Sequence, residues 1–354
     1  MTDLFLKIKT HQEQNLPFVV FCKPDSDKMV GLFQKNDHLY FLENFEEKGF
    51  VFVSFEADTY PYIPVEFSDI LIENNHFRDF ILEEKQQSVT PALGNDFYEN
   101  LVFKGISAIS DQVFSKVVLS RREEVLSNNF NVELVLKRMI TYYPSAFKYC
   151  FFHPKIGMWI GATPEQFLQS DANNIKTVAL AGTQAFGTNK NIVWGDKEKE
   201  EQQLVTNFIV DNLSIIAKEI TVSSPYTIKA GNIMHIKTDI SAKIKNKKAL
   251  KTVITALHPT PAVCGLPMQS AKDFILKNEG YNREYYTGFL GEFNIDLVTF
   301  RTRQSDLFVN LRCMKIKKDK ADIFIGGGIT KDSDPKAEYL ETVNKSMTMK
   351  KIIQ

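Results

Sequence analysis

Apolar and polar positions alternate at two different periods along this chain, and the change of period divides it. Leu4, Phe5 and Ile8, interrupted by Asp3, Lys7 and Lys9, predict an amphipathic helix over residues 1–14. Short apolar runs follow at Phe18–Cys22, His38–Phe41 and Phe50–Phe55, and read as strands broken by the proline-containing stretch Tyr60–Pro64. Near Asn95 the period becomes helical, with Phe97, Leu101, Val102, Ile106 and Ile109 in step. Beyond it, strands are predicted at Lys116–Ser120, Phe147–Phe152 and Gly157–Gly161, and an extended segment at Asn232–Ile244. Helices are predicted at Val132–Thr141, Lys197–Ile220, Lys248–Leu257 and Ser270–Lys277. A hairpin of Leu307–Lys315 with Asp322–Gly326 leads into a final helix. Strands grouped in runs, without strict βα alternation, predict an α+β fold with mostly antiparallel sheets. One domain is expected over 1–354, with a variable strand-rich part at 1–94 and the catalytic part at 95–354.

Composition narrows the class. Of 354 residues, 44% are hydrophobic and 24% charged, which suits a folded globular chain. The 43 basic side chains balance the 43 acidic ones, so no overall field favours nucleic acid or an anionic membrane. Apolar runs are too short to span a bilayer, and the first residues lack the apolar core of a secretory signal. Cys22, Cys150, Cys264 and Cys313 are scattered and read as reduced thiols, and the six histidines show no HExxH spacing. A cytoplasmic protein is expected, and a monomer, since no long exposed apolar stripe is evident.

Two helices carry acids in suggestive places. In the long helix, Val205, Phe208, Ile209 and Asn212 share a stripe. At about 100° per residue, Glu198 and Glu201 fall within roughly 80° of it. A buried carboxylate is costly without a compensating cation or hydrogen bonds, so the pair is either a metal-binding face or a frayed helix start favoured by the dipole. In SDPKAEYLETVNK, Asp334 is a natural N-cap and Pro335 a natural first helical residue, while Glu338, Glu341 and Lys345 share one face. That face is either a solvated salt-bridge array or a second acid pair aimed at a divalent ion. Gly326–Gly328, just before, either let backbone N–H groups approach a ligand or form a bulge or tight turn.

In order along the chain, the segments KVVLSR (Lys116–Arg121), GATPEQF (Gly161–Phe167), ALAGTQ (Ala179–Gln184), KEKEEQQLV (Lys197–Val205) and HIKTDISAKI (His235–Ile244) form one series. LHPTPAVCGLP (Leu257–Pro267), REYYTGFLGE (Arg283–Glu292), VNLRC (Val309–Cys313), IGGGI (Ile325–Ile329) and SDPKAEYLETVNK (Ser333–Lys345) continue it. Together they resemble the chorismate-utilising enzymes, which include isochorismate, salicylate, anthranilate and aminodeoxychorismate synthases. The resemblance implies two stacked, mostly antiparallel sheets flanked by helices, with the active site between them. It implies a Mg2+ site of Glu201 and Glu341, supported by Glu198 and Glu338 directly or through water. The ion would hold the ring carboxylate of chorismate. Arg312, Tyr286 and the backbone of Gly326, Gly327 and Gly328 would meet the enolpyruvyl carboxylate, Lys345 would add positive charge, and His235 would contact the ring.

Three positions separate the reactions within that family. Lys116 stands where a lysine resembles the base that activates water and where ammonia-using members carry Gln. Such a lysine needs a lowered pKa. Ala181 stands where aminodeoxychorismate synthases have a nucleophilic lysine. Ala262 stands where pyruvate-eliminating members usually have Thr. The resemblance therefore implies isochorismate formation: Lys116 deprotonates water for attack at C2, and Glu165, with a raised pKa, protonates the departing C4 hydroxyl from the other side of the ring. The product would feed menaquinone or siderophore biosynthesis, and no glutamine amidotransferase partner is expected. The alternatives are a salicylate synthase, against which Ala262 argues, and a non-catalytic chorismate-binding protein. Departures from the family pattern are Gln202 for a common His, Gly327 for Ala and Cys264 for Ser.

Overall fold

The structure is a computed structural model that describes residues 3–75, 95–127, 130–185, 193–230, 233–245 and 249–353. Its described strands form two sheets in which every pairing is antiparallel. The nine-stranded sheet runs Gly265–Leu266, Lys116–Leu126, Lys320–Ile329, Cys313–Ile316, Gly157–Thr163, Phe147–His153, Phe18–Cys22, Lys28–Gln34, Ser68–Asn74. The ten-stranded sheet runs Ala217–Val222, Ile233–Ile244, Asn174–Ala185, Gln166–Asp171, Gln304–Val309, Phe289–Phe293, Gly49–Val53, Pro61–Pro64, Tyr40–Phe41, with Tyr226–Ala230 also paired to Ile233–Ile244.

Aromatic side chains hold the sheets face to face. Phe21, Phe147, Phe151, Trp159 and Phe324 of the first sheet interlock with Phe50, Phe52, Leu290 and Phe308 of the second. Phe147 stacks on Phe308 and Phe151 on Phe52, each with ring centroids 4.3 Å apart. Each fully buried ring contributes roughly 1.5–3 kcal/mol. Helices Asp3–Glu13, Val132–Tyr142 and Pro335–Ile353 cover the outer face of the first sheet. Asp196–Ser214 and Ala249–Leu257 cover the second. Asp96–Ser110 and Met268–Asn278 pack at the edge that carries Lys116–Leu126. The α+β expectation with two antiparallel sheets holds, and residues 18–74 contribute strands to both.

Several expected elements shift. The long helix ends at Ser214, because Ala217–Val222 pairs with Ile233–Ile244 instead of continuing it. The expected strand Leu307–Lys315 is two strands, Gln304–Val309 and Cys313–Ile316, in different sheets. Between them the chain crosses the sandwich, and Arg312 takes φ +47° there. Pro61–Pro64 is itself a strand near a sheet edge, not merely a break. Phe97 is exposed; the buried face of its helix is Tyr98, Leu101, Val102 and Gly105. Lys248 and Asn232, expected element starts, lie outside the described residues.

Candidate active site

A cavity of about 590 Å³ opens where the strand Lys116–Leu126, the helix Asp196–Ser214 and the helix Pro335–Ile353 come together, and all fourteen site residues expected from the sequence line it. Each reaches it for a local reason. Lys116 opens its strand, which is paired to Lys320–Ile329 so that Val118, Leu119 and Ser120 face Gly328, Gly327 and Gly326. The glycines lie in extended strand, not in a turn. A Cβ on Gly326 would fall 2.8 Å from both the Leu119 carbonyl and the Tyr286 hydroxyl; on Gly327, 3.2 Å from Glu338 Oε2; on Gly328, 3.2 Å from Lys116 Cε. Space at this wall therefore belongs to Tyr286, Glu338 and Lys116.

Asp334 caps the last helix, accepting from the Ala337 amide at 2.8 Å. Glu338, Glu341 and Lys345 then project from one face into the cavity. Ser333 Oγ donates to Glu338 Oε1 at 2.7 Å. Lys345 Nζ lies 2.5 Å from Glu341 Oε1 and donates to the Gly326 carbonyl at 3.0 Å, bridging helix and glycine strand. Burial lowers the Lys345 pKa against the opposing pull of Glu341. From the other helix, Glu198 and Glu201 enter the cavity, and Glu201 Oε1 accepts from Lys116 Nζ at 2.5 Å.

Gln202, the next residue, points into the protein interior and not into the cavity. It is 2% exposed and donates to Thr206 Oγ1 and Thr238 Oγ1, at 2.9 and 2.6 Å. It therefore ties the helix to the strand Ile233–Ile244, on the buried stripe with Val205 and Ile209. The stripe inferred from the sequence is rotated slightly, since Phe208 and Asn212 are only half-buried.

Glu165 lines the cavity with Lys116 and Arg312. Burial pushes its pKa up to about 7, outweighing the opposing charges of Lys116 and Arg312. His235 donates through Nδ1 to the Gly182 carbonyl at 3.2 Å. Burial, with Lys345 and Arg312 adding to it, lowers its pKa and favours the neutral ring. Arg312 loses some basicity to burial. Tyr286 is 3% exposed, and burial raises its pKa, so its hydroxyl stays protonated.

The donor chemistry fits a hard divalent ion: four carboxylates from two helices border one cavity. Among the described residues no three His, Cys, Asp or Glu side chains converge into a ready-made metal cluster. Glu201 and Glu341 each already answer a cation, a lysine ammonium, at 2.5 Å.

Some of the architecture was not foreseen. Lys116 and Glu201, 85 positions apart, form an ion pair that no local spacing announces. Arg283 and Glu279 form a buried pair directly behind the wall; Arg283 sits in one of the quoted segments, but nothing in its neighbours names its acceptors.

A profile of the family described as chorismate binding enzyme matches residues 69–354. The isochorismate synthase EntC of Escherichia coli (strain K12) is 27% identical over 265 residues, covering 71% of this chain and 66% of EntC, just under two thirds of its length. Among solved structures, DhbC from Bacillus anthracis aligns over 98% of this chain and 99% of its own, with TM-score 0.75 and 21% identity. MenF, the menaquinone-specific isochorismate synthase from Escherichia coli, aligns over 96% and 89%, with TM-score 0.77 and 18% identity. The fold likeness thus includes the strands before residue 75. No helix among the described residues is long and apolar enough to cross a membrane.

Proposed function

Because this chain belongs to the chorismate-binding enzyme family, we propose that it converts chorismate to isochorismate. The observation that carries this reading is the meeting of Lys116 and Glu165, with a Glu165 pKa of about 7, in one cavity beside Arg312 and four glutamates. In the proposed reaction a water oxygen bonds to C2 of the ring and gives its proton to Lys116 Nζ. Both ring double bonds shift by one position (C1=C2 to C1=C6, C5=C6 to C4=C5), the C4–O bond breaks, and Glu165 gives its proton to the leaving oxygen, which departs as water. A carboxyl group that is about half protonated at neutral pH can donate in this way, whereas an ordinary glutamate cannot.

Magnesium held by Glu201 and Glu341, with Glu198 and Glu338 in support, would supply the charge that pins a substrate carboxylate. Arg312 offers a planar fork to the second carboxylate, assisted by the Tyr286 hydroxyl and the Gly326–Gly328 backbone. Burial, with Lys345 and Arg312 adding to it, favours the neutral form of His235, so that it would offer the ring an uncharged face. Ala262 borders the cavity without a hydroxyl, which favours stopping at isochorismate over expelling pyruvate.

The test is incubation of purified protein with chorismate and MgCl2, followed by chromatography for isochorismate, a coupled assay for pyruvate and fluorescence for salicylate. Isochorismate alone supports the proposal. Salicylate and pyruvate would make the protein a salicylate synthase, and unchanged chorismate with retained binding would make it a binder.

A further inference from the structure

Arg283 and Glu279 are each 1% exposed and form a buried ion pair. A buried charge pair is a liability unless its hydrogen-bonding capacity is filled, and here the guanidinium has no donor to spare. Nε donates to Glu279 Oε2 at 2.7 Å, and Nη2 donates to Glu279 Oε1 and to the Val118 carbonyl, the latter at 2.7 Å. Nη1 donates to the Val263 carbonyl at 2.9 Å and to Thr287 Oγ1 at 3.2 Å. Five N–H groups thus meet five acceptor contacts. Phe55 covers the guanidinium at 4.6 Å.

The acceptors share a location. Val118, Val263 and Thr287 all line the cavity, although Arg283 lies behind them. Val118 is two residues from Lys116, Val263 follows Ala262, and Thr287 follows Tyr286. Glu279 extends the same joint, because its Oε1 accepts from the Ser120 amide and hydroxyl, at 2.7 and 2.9 Å. Separate stretches of chain, bearing the candidate base, the cavity-lining Ala262 and the candidate carboxylate contact Tyr286, are therefore held at fixed spacing from one point.

We propose that Arg283, seated on Glu279, is a positioning residue for the reaction: it fixes Lys116 relative to the Ala262 and Tyr286 walls. This rests on the isochorismate-forming reading of the cavity. Lysine cannot replace it, since three donors from one nitrogen do not span the acceptors. The charged part of the substrate grip, Arg312 and the glutamates, and the glycine strand are not contacted by Arg283 in any hydrogen bond or ion pair described above; Tyr286, which only assists Arg312, is the one grip residue on the joint. Misplacing a reacting group by about 1 Å costs on the order of 100-fold in rate.

The experiment compares Arg283→Lys with wild type and with Met139→Ala, a core truncation on the buried face of the helix Val132–Tyr142. Arg283→Lys is expected to lose about 100-fold in kcat while the KM for chorismate stays within about threefold. Met139→Ala lowers the melting temperature without changing kcat below that temperature. A folded Arg283→Lys enzyme with kcat near wild type, or a kcat loss that Met139→Ala shares, overturns the proposal. Should Arg283→Lys fail to fold, Ser120→Ala, which removes the hydroxyl bond to Glu279 together with the one to Tyr281, is expected to lower kcat several-fold with KM unchanged, and full activity overturns the proposal. Wild-type protein that makes no isochorismate would sink the proposed reaction and this inference with it. Wild-type turnover with an unimpaired variant sinks the positioning role alone.

Discussion

Glu165→Gln separates the chemical role of this carboxyl group from its shape. A shift from 4.5 to about 7 corresponds to ~3 kcal/mol of preference for the neutral form. At pH 7 it raises the protonated fraction from roughly 0.3% to about half. Loss of that proton donor is expected to lower kcat about 100-fold or more, with KM little changed. The same shift predicts a stability signature. The folded state holds the proton more tightly than the unfolded chain, so the favourable contribution is complete below pH 4.5 and disappears as pH rises through about 7. Glutamine has no such dependence. Wild type should therefore lose up to ~3 kcal/mol relative to Glu165→Gln between pH 4.5 and 8, an upper bound because the group keeps some contact with solvent in the cavity. Paired thermal melts across that range, with initial rates at pH 7, provide the assay. Melting curves that move in parallel, or a variant within tenfold of wild-type kcat, would refute the assignment.

Glu201→Gln is expected to abolish magnesium-dependent turnover, as chelation with EDTA should in wild type; undiminished activity with MgCl2 removes Glu201 from the ligand set. Ala262→Thr should release measurable pyruvate in a lactate dehydrogenase-coupled assay in which wild type releases none. Gly326→Ala must push a methyl group to 2.8 Å from the Leu119 carbonyl and the Tyr286 hydroxyl. It should cost about 1–3 kcal/mol in denaturant unfolding and weaken chorismate binding; wild-type values for both would show that the wall yields.

What the sequence made legible was local. Asp334 and Pro335 announce their helix because capping and a fixed φ act within one turn, and the structure has the helix start there. Alternation between layers was readable from runs such as Phe147–Phe152, which is nearly the observed strand. The overrun of the long helix has a clear cause. Leu213, Ile216, Ala217 and Ile220 continue a helical period, yet strand pairing with Ile233–Ile244 overrides it. Lys28–Gln34 and Ser68–Asn74 escaped notice since one carries a central Gly31 and the other has a half-exposed pattern. The candidate site was legible only through ten ordered segments taken together. Single residues such as Glu198 or Gly327 are ambiguous alone, while the contacts Lys116–Glu201 and Arg283–Val118 join positions 85 and 165 residues apart.

The way the early strands are woven into both sheets constrains biogenesis. Phe18–Cys22 lies against Phe147–His153, and Gly49–Val53 against Phe289–Phe293. Neither sheet can close while the ribosome still holds the last third of the chain. Until then the aromatic-rich early strands wait with open edges, the condition in which nascent β-rich chains stick to one another. Slow, chaperone-sensitive maturation is the expected consequence of pairing strands this far apart in sequence.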